Sequence, residues 1–205
     1  MDRSTSWLQT DEAEDVAGSI RHCIASLQLA ASDEQAFKWV LLSLHSALQG
    51  ACVCHLATTF PPIGVATRAN EAEWLKWAED SRATPDLPQP KTYVAKLPEL
   101  LKRIRRPHSA GDRSNATGIG LSDTDLQWWT RIHGAIRNQF THFAPRSWSI
   151  ELSGISGLVF LTTRLISEMC DASWAFRHQD ESWMLALRSD LGKLNQSARL
   201  LDEQL

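Results

Sequence analysis

The sequence has no strong excess of charge of either sign, and this limits the partners that it can bind. It contains 21 lysines and arginines against 24 aspartates and glutamates, for a formal net charge of -3. A protein that binds a polyanion over its whole surface would carry a clear positive charge. Any contact with nucleic acid must therefore come from a local cluster of basic residues.

Long apolar runs are also missing. A helix that crosses a bilayer needs roughly 20 consecutive, mostly apolar residues, and no uninterrupted apolar run in the chain approaches that length. The first fifteen residues, MDRSTSWLQTDEAED, are acidic and polar, which is unlike a signal peptide. These features predict a cytoplasmic protein that makes no contact with a membrane.

Cysteine is scarce, and its four copies do not form a metal-binding pattern. They lie on apolar, helix-like segments, and Cys52 and Cys54 in the sequence C-V-C-H lack the spacing of the common zinc sites. The sequence also has no phosphate-binding loop, dinucleotide fingerprint or zinc-protease helix. Buried free thiols are predicted, with no metal and no cofactor.

Apolar residues recur at helical spacing along most of the chain, and no convincing strand pattern appears. The predicted fold class is therefore all-α, an antiparallel helical bundle. It forms a single domain over residues 1–205, with its core over about 10–170. The stripes predict helices over residues 10–30, from 32 to the prolines at 61 and 62, and over 71–79, 93–105, 122–143, 155–169 and 182–203.

Local signals predict where two of these helices begin and where helices approach each other. The sequence S-D-E-Q from Ser32 is a capping box that would start the second helix. Ser122 is predicted to cap the helix over residues 122–143. The second helix also carries a row of small residues that would let another helix approach closely: Ser43, Ala47, Gly50 and Cys54.

The helix over residues 122–143 carries polar side chains away from its apolar stripe. At about 100° per residue, His142 lies about 150° from the middle of that stripe, and Arg137 lies at its margin. The same polar face includes Asn138, Thr141 and Gly134. The glycine leaves room for a ligand or for a second copy of the helix.

These side chains suit phosphodiester chemistry on RNA. The imidazole of His142 can transfer protons, the guanidinium of Arg137 can bind a phosphate, and the amide of Asn138 can orient either group. The ribose hydroxyl would supply the nucleophile. One histidine cannot easily be both base and acid at a single phosphodiester, whereas two copies across a two-fold axis can. A homodimer that acts on RNA is therefore predicted.

The pattern R-N-x-x-x-H, formed by Arg137, Asn138 and His142 in a late helix, resembles the R-x4-6-H motif of the HEPN superfamily. The segments RNQFTHFAPRSWSIELSG and LLSLHSALQGA are also similar to segments of bacterial proteins with this organisation, so the resemblance covers about residues 32–169. It implies a four-helix core with additional helices that dimerises to form an active cleft. The implied activity is a metal-independent endoribonuclease in which the arginine and the histidine are the catalytic pair.

The resemblance also implies a biological setting and partners. Many HEPN members act in toxin–antitoxin, antiphage or RNA-processing systems. RNA is the implied substrate, and an antitoxin or a nucleotidyltransferase is an implied protein partner.

Three side chains are predicted to support the catalytic pair. His45 and Gln49 lie one turn apart on the second helix beside its apolar stripe, where they could reach the cleft together with Thr141. For His45 and Gln49 the alternative is a satisfied, half-buried pair with no role in function. His55 and His133 fall on apolar stripes and are predicted to be core histidines.

The main concentration of basic residues lies just before and within the segment RPHSAGDRSNATGIG, residues 106–120. This segment, called the basic loop below, is predicted to be mobile or ordered by a ligand. Arg105, Arg106 and Arg113 are predicted to bind RNA phosphates. The alternative is a solvated helix end.

A non-catalytic function is the alternative to a ribonuclease. In that interpretation Arg137 pairs with an acidic residue such as Glu151, and His142 caps carbonyl groups at a helix end. The chain would then be a helical interaction or regulatory module that binds RNA, a nucleotide or a protein.

Overall fold

The computed structural model describes residues 7–8, 10–60, 62–136, 149 and 151–203. These residues form seven α-helices and no strand, so the prediction of an all-α helical bundle is confirmed. In chain order the helices are α1 (Glu12–Ala30), α2 (Ala36–Leu56), α3 (Arg68–Asp80), α4 (Leu97–Ile104), α5 (Asp123–Ala135), α6 (Ile155–Asp171) and α7 (Glu181–Asp202).

Helices α1 and α2 form an antiparallel hairpin. The Cys23 thiol lies 3.8 Å from the carbonyl oxygen of Val40 near the turn. At the other end, a Cβ added to Gly50 would lie only 2.8 Å from a methyl carbon of Val16. Gly50 therefore allows the close approach that the row of small residues predicted.

Helices α6 and α7 form a second antiparallel pair. The Thr163 hydroxyl donates to the side-chain oxygen of Asn195 at 2.7 Å. Nearer the turn, the Arg188 guanidinium donates to Asp171 at 2.7 Å. The contact that comes later along α6 comes earlier along α7, as expected for antiparallel helices joined by a short connection.

One contiguous hydrophobic cluster contains buried side chains from α1, α2, α4, α5, α6 and α7. Trp129 of α5 is its largest fully buried side chain. Helix α3 lies outside this cluster and has its own aromatic group, in which Phe60, Trp74 and Trp77 make edge-to-face contacts. Such geometry is the preferred one for aromatic rings, and it holds α3 beside the start of the loop after α2.

The capping box predicted at Ser32 is wrong. The Ser32 hydroxyl donates to the end of α1, at the carbonyl oxygen of Leu29 (3.2 Å), and the Asp33 carboxylate accepts the backbone N–H of Gln35 (2.9 Å). These bonds stabilise a tight turn between α1 and α2. Helix α2 consequently begins at Ala36 without a side-chain cap.

The helix predicted over residues 93–105 begins later than expected. Residues 93–95 are not helical, because the backbone N–H of Ala95 donates to the carbonyl oxygen of Val65 at 2.8 Å. Pro98 occupies the first turn of α4, where its missing N–H costs nothing. A contact distant in sequence has therefore replaced the first turn of the predicted helix.

Helix α2 is apolar over much of its length, although its sequence contains no uninterrupted apolar run of roughly 20 residues. Among the described residues, it is the one helix that is long and apolar enough to cross a membrane, with a mean hydropathy of 1.3 over the best window. In the structure 56% of that window is buried within the bundle, and the core helix of a globular protein meets the same criterion.

Candidate functional site

Helix α5 leads directly into the predicted catalytic motif. It begins as expected at Ser122, whose hydroxyl accepts the N–H of Asp125 while the Asp125 carboxylate accepts the N–H of Ser122. Trp129 and Ile136 bury its apolar side. The predicted catalytic and supporting residues of the motif lie outside the described residues: Arg137, Asn138, Thr141 and His142.

A cleft of about 810 Å³ lies where the described part of this segment ends, and it is called the His45 cleft below. Ile136 lines it, together with His45 and Gln49 of α2. The two polar residues that the sequence predicted to support the catalytic pair therefore share one cleft. Arg137, the first residue of the motif, directly follows Ile136 in the sequence.

His45 contacts a second histidine that the sequence analysis assigned to the core. Its Nε2 lies 2.9 Å from Nδ1 of His133, and the two rings stack with their centroids 5.2 Å apart. Because one ring nitrogen must donate and the other accept, the bond couples the protonation sites of the two rings. His133 is half-buried on α5, so its position on the apolar stripe did not reveal this contact with α2.

The charge state of this pair follows from its surroundings. Burial, and secondly the neighbouring His133, lower the pKa of His45 from 6.5 to about 4. His45 is therefore neutral at pH 7 and cannot act there as a general acid. It can orient another group or hold the end of α5 against α2.

The lining of the His45 cleft is partly acidic. Asp11, which caps α1, and Glu12 and Asp15 of α1 line it, and the Ser46 hydroxyl donates to Asp15 at 2.9 Å. Carboxylates repel phosphate groups at short range. This part of the lining therefore disfavours a bound polyanion.

The basic loop, predicted to be mobile or ordered by a ligand, is instead held by its own hydrogen bonds. The Asn115 side chain accepts the N–H of Ala110 and donates to the carbonyl oxygen of Thr117, both at 2.8 Å. The N–H of Gly111 donates to the carbonyl oxygen of His55 at 2.9 Å. These bonds replace the ligand contacts that the sequence analysis invoked, and they fasten the loop to the end of α2.

A buried histidine anchors the same loop. His55 is fully buried, as predicted, and its Nε2 lies 3.1 Å from the Ser109 hydroxyl. Because that hydroxyl donates to the carbonyl oxygen of Ile104 (3.1 Å) and accepts from Asn115 (3.1 Å), Nε2 must be the donor. Burial lowers the pKa of His55 to about 4, so this pair is structural and does not form an activated serine.

The three arginines predicted to bind RNA do not lie together. Arg105 forms an ion pair with Asp123 at 2.7 Å, which ties α4 to the start of α5. Arg106 and Arg113 line a second cleft, of about 450 Å³, between the basic loop, α3 and α4. Two arginines that sequence analysis did not single out for binding also line this arginine cleft: Arg68 and Arg103.

The four cysteines lie in surroundings that keep their thiols protonated. All four are free, with three of them buried and Cys54 half-buried, as the sequence predicted. Burial raises the pKa of Cys23 and of Cys54 to about 12 and that of Cys170 to about 11, so these thiols stay protonated at neutral pH. Among the described residues, no group of three or more His, Cys, Asp or Glu side chains is placed to hold a metal ion.

Comparison with known proteins adds no family to this description. No protein-family model matches the chain, and no curated protein or solved structure is significantly similar to it.

Proposed function

We propose that the chain is a metal-independent endoribonuclease of the HEPN type that acts as a cytoplasmic homodimer. Arg137 stabilises the negative charge that develops on the phosphate, His142 transfers protons, and Asn138 orients them. The ribose 2′-hydroxyl is the nucleophile. An antitoxin or a nucleotidyltransferase is the partner that fits such an enzyme.

One observation carries this proposal. Ile136, which immediately precedes Arg137, lines a cleft that also holds His45 and Gln49. The sequence analysis selected the motif and these two polar residues separately, on different helices. His45 and Gln49 thus line a cleft that reaches the residue immediately before the motif, which supports a common site.

The His45–His133 pair suggests how the rest of the site is organised. His45 is neutral at pH 7, so its ring adds no positive charge to compete with Arg137 for the phosphate. It links α2 to the last turn of α5. We assign it a positioning role, which holds the approach to the motif in place.

The reaction itself provides the first test. Purified protein should cleave RNA in excess EDTA and leave a 2′,3′-cyclic phosphate or its hydrolysis product, because the attack uses the 2′-hydroxyl and no metal. DNA of the same sequence should remain intact, since it lacks that hydroxyl. Cleavage that stops in EDTA, or that degrades DNA equally, would contradict the proposed mechanism.

The oligomeric state is a second prediction. Gly134 lies on α5, and a Cβ added there would have no heavy atom within 4 Å. A side chain at this position therefore starts from open space within the described part of the chain, and Gly134→Trp should block a second copy from packing on this face. Light scattering should find a dimer for the wild type and a monomer for Gly134→Trp. Gly192→Trp on α7, where a Cβ also meets open space, is the control and should stay dimeric; a wild-type monomer at micromolar concentration would exclude the composite site.

The alternative function remains a non-catalytic helical module. The arginine cleft is the observation that favours it, because this cleft can bind an anion without any help from the motif. Protein that binds RNA but leaves it uncut under all of these conditions would favour this alternative.

A further inference from the structure

The arginine cleft has a net positive charge although the chain is acidic. Four arginines line it (Arg68, Arg103, Arg106 and Arg113) against two glutamates, Glu71 and Glu99. Its volume of about 450 Å³ lies within the range of small-ligand sites, roughly 300 to 1,000 Å³. Neither the motif nor the His45 cleft contributes to it.

Arg103 forms ion pairs with both glutamates. Its guanidinium lies 2.8 Å from Glu71 and 3.7 Å from Glu99, and it also donates to the carbonyl oxygens of Gly64 and Ala66. Its side chain is only 12% exposed. Arg103 therefore joins α3, α4 and the chain between them, and it neutralises the acidic part of the lining.

The other three arginines have no such partner. Within the part of the chain that the structure describes, Arg68, Arg106 and Arg113 have no carboxylate within 4.0 Å. All three are exposed at the cleft. Three unpaired guanidinium groups on one small cavity repel one another, and a bound anion would relieve that repulsion.

The basic loop, which carries Arg106 and Arg113, has a strained backbone. His108 and Arg113 have φ angles of 57° and 63°, in the left-handed region that non-glycine residues rarely occupy. Two bonds hold this conformation: the N–H of His108 donates to the carbonyl oxygen of Asn115 (2.8 Å), and its Nδ1 donates to the carbonyl oxygen of Arg113 (3.0 Å). Strain at the residues that face a cavity is typical of preorganised binding sites.

We propose that the arginine cleft binds a phosphomonoester, carried either by a small molecule or by the end of an RNA strand. A phosphomonoester has a charge of about -1.5 to -2 and three acceptor oxygens, which matches a cleft lined by three unpaired arginines better than a carboxylate or an internal phosphodiester does. Guanidinium binds such oxygens in two-pronged fashion. This proposal does not depend on the ribonuclease activity, because it uses none of the residues assigned to cleavage.

Calorimetric titration tests the proposal with three probes. These are inorganic phosphate and two short 2′-O-methyl oligonucleotides, which resist 2′-hydroxyl attack and differ only in a 5′-phosphate or a 5′-hydroxyl. Inorganic phosphate should bind whether the natural phosphomonoester is a small molecule or the end of a strand. Tighter binding of the phosphorylated oligonucleotide would assign the site to strand ends, and binding of inorganic phosphate alone would assign it to small molecules. Measurable binding of both oligonucleotides with the same affinity, or no binding of inorganic phosphate, would overturn the proposal.

Variants locate the site. Arg106→Gln and Arg113→Asn should each weaken phosphate binding at least about tenfold, since each removes a charge-assisted hydrogen bond. Asparagine is chosen at residue 113 because it tolerates a positive φ angle. Arg199→Gln on α7 removes an equally exposed arginine outside the cleft and should not change binding. Loss of affinity in all three variants, or in none, would contradict the assignment.

A measurement on the wild-type chain avoids any folding defect in the variants. Phenylglyoxal modifies accessible arginines, and mass spectrometry identifies the modified positions. Inorganic phosphate should protect Arg68, Arg106 and Arg113 and leave Arg199 reactive. Uniform modification with and without phosphate would show that the cleft does not hold the anion, whatever the outcome of the cleavage assay.

Discussion

His142→Ala should lower the rate of RNA cleavage by at least about two orders of magnitude, because loss of a positioned acid or base has an effect of this size. Arg137→Ala should cause a comparable loss, since it removes the charge that stabilises the transition state. Single-turnover kinetics with enzyme in excess measures the chemical step directly. Both variants should keep the melting temperature of the wild type within a few degrees, because the apolar pattern of the sequence predicts neither side chain on the buried stripe.

Matched controls make this result specific. His22→Ala and Arg131→Ala remove an exposed histidine on α1 and an exposed arginine on α5, and both should cleave RNA at the wild-type rate. The loss of activity in the motif variants also separates the activity of the protein from that of a contaminating ribonuclease, which no substitution in the chain would alter. If His142→Ala and Arg137→Ala retain full activity, or fail to fold, the motif is structural and the interaction-module function takes its place.

The fold was predictable where a local pattern decides the structure. Ser122 caps α5 as expected because Asp125 stands three residues later and completes a reciprocal pair of bonds. Ser32 has a similar sequence context, but the turn after α1 offers its hydroxyl another acceptor at Leu29. The two serines differ in tertiary surroundings, and these do not appear in a sequence window.

The arginines of the run K-R-I-R-R show why the binding residues were only partly predictable. Helical spacing places Arg103, Arg105 and Arg106 on different sides of α4 and its end, but it does not say what each side meets. Arg103 forms an ion pair with Glu71, Arg105 forms one with Asp123, and Arg106 lines a cavity. The pairing partners lie more than fifteen residues away, so only the folded chain reveals which charge is available for a ligand.

The histidines at the His45 cleft show where helical periodicity predicts a polar site and where it does not. His45 and Gln49 were selected because they lie beside the apolar stripe of α2, and both line the cleft. His133 occupies the stripe of α5, which favours a core residue, yet its ring faces His45. A histidine on an apolar stripe can be buried against another histidine as well as against a hydrophobic side chain, and periodicity does not distinguish the two.

Acid should destabilise the protein before its carboxylates are protonated. His45 and His55 each have a pKa of about 4 in the folded state, chiefly because burial disfavours the charged ring. The unfolded chain binds their protons near pH 6.5. A group whose folded pKa is depressed stabilises the fold above its unfolded pKa, so this contribution is complete above about pH 6.5 and is lost as the pH falls towards 4.

Urea denaturation, followed by tryptophan fluorescence, measures this loss. Between about pH 7 and pH 4.5 the free energy of unfolding should fall by about 2 kcal/mol for each of the two histidines. His45→Gln and His55→Gln should each be less stable at pH 7, because each disturbs a buried hydrogen bond, but each should also flatten the pH dependence by its own share. His22→Gln removes an exposed histidine and should keep the wild-type slope. If the slope in both buried-site variants equals that of the wild type, these histidines titrate normally in the folded chain, and the neutral state assigned to His45 in the cleft is wrong.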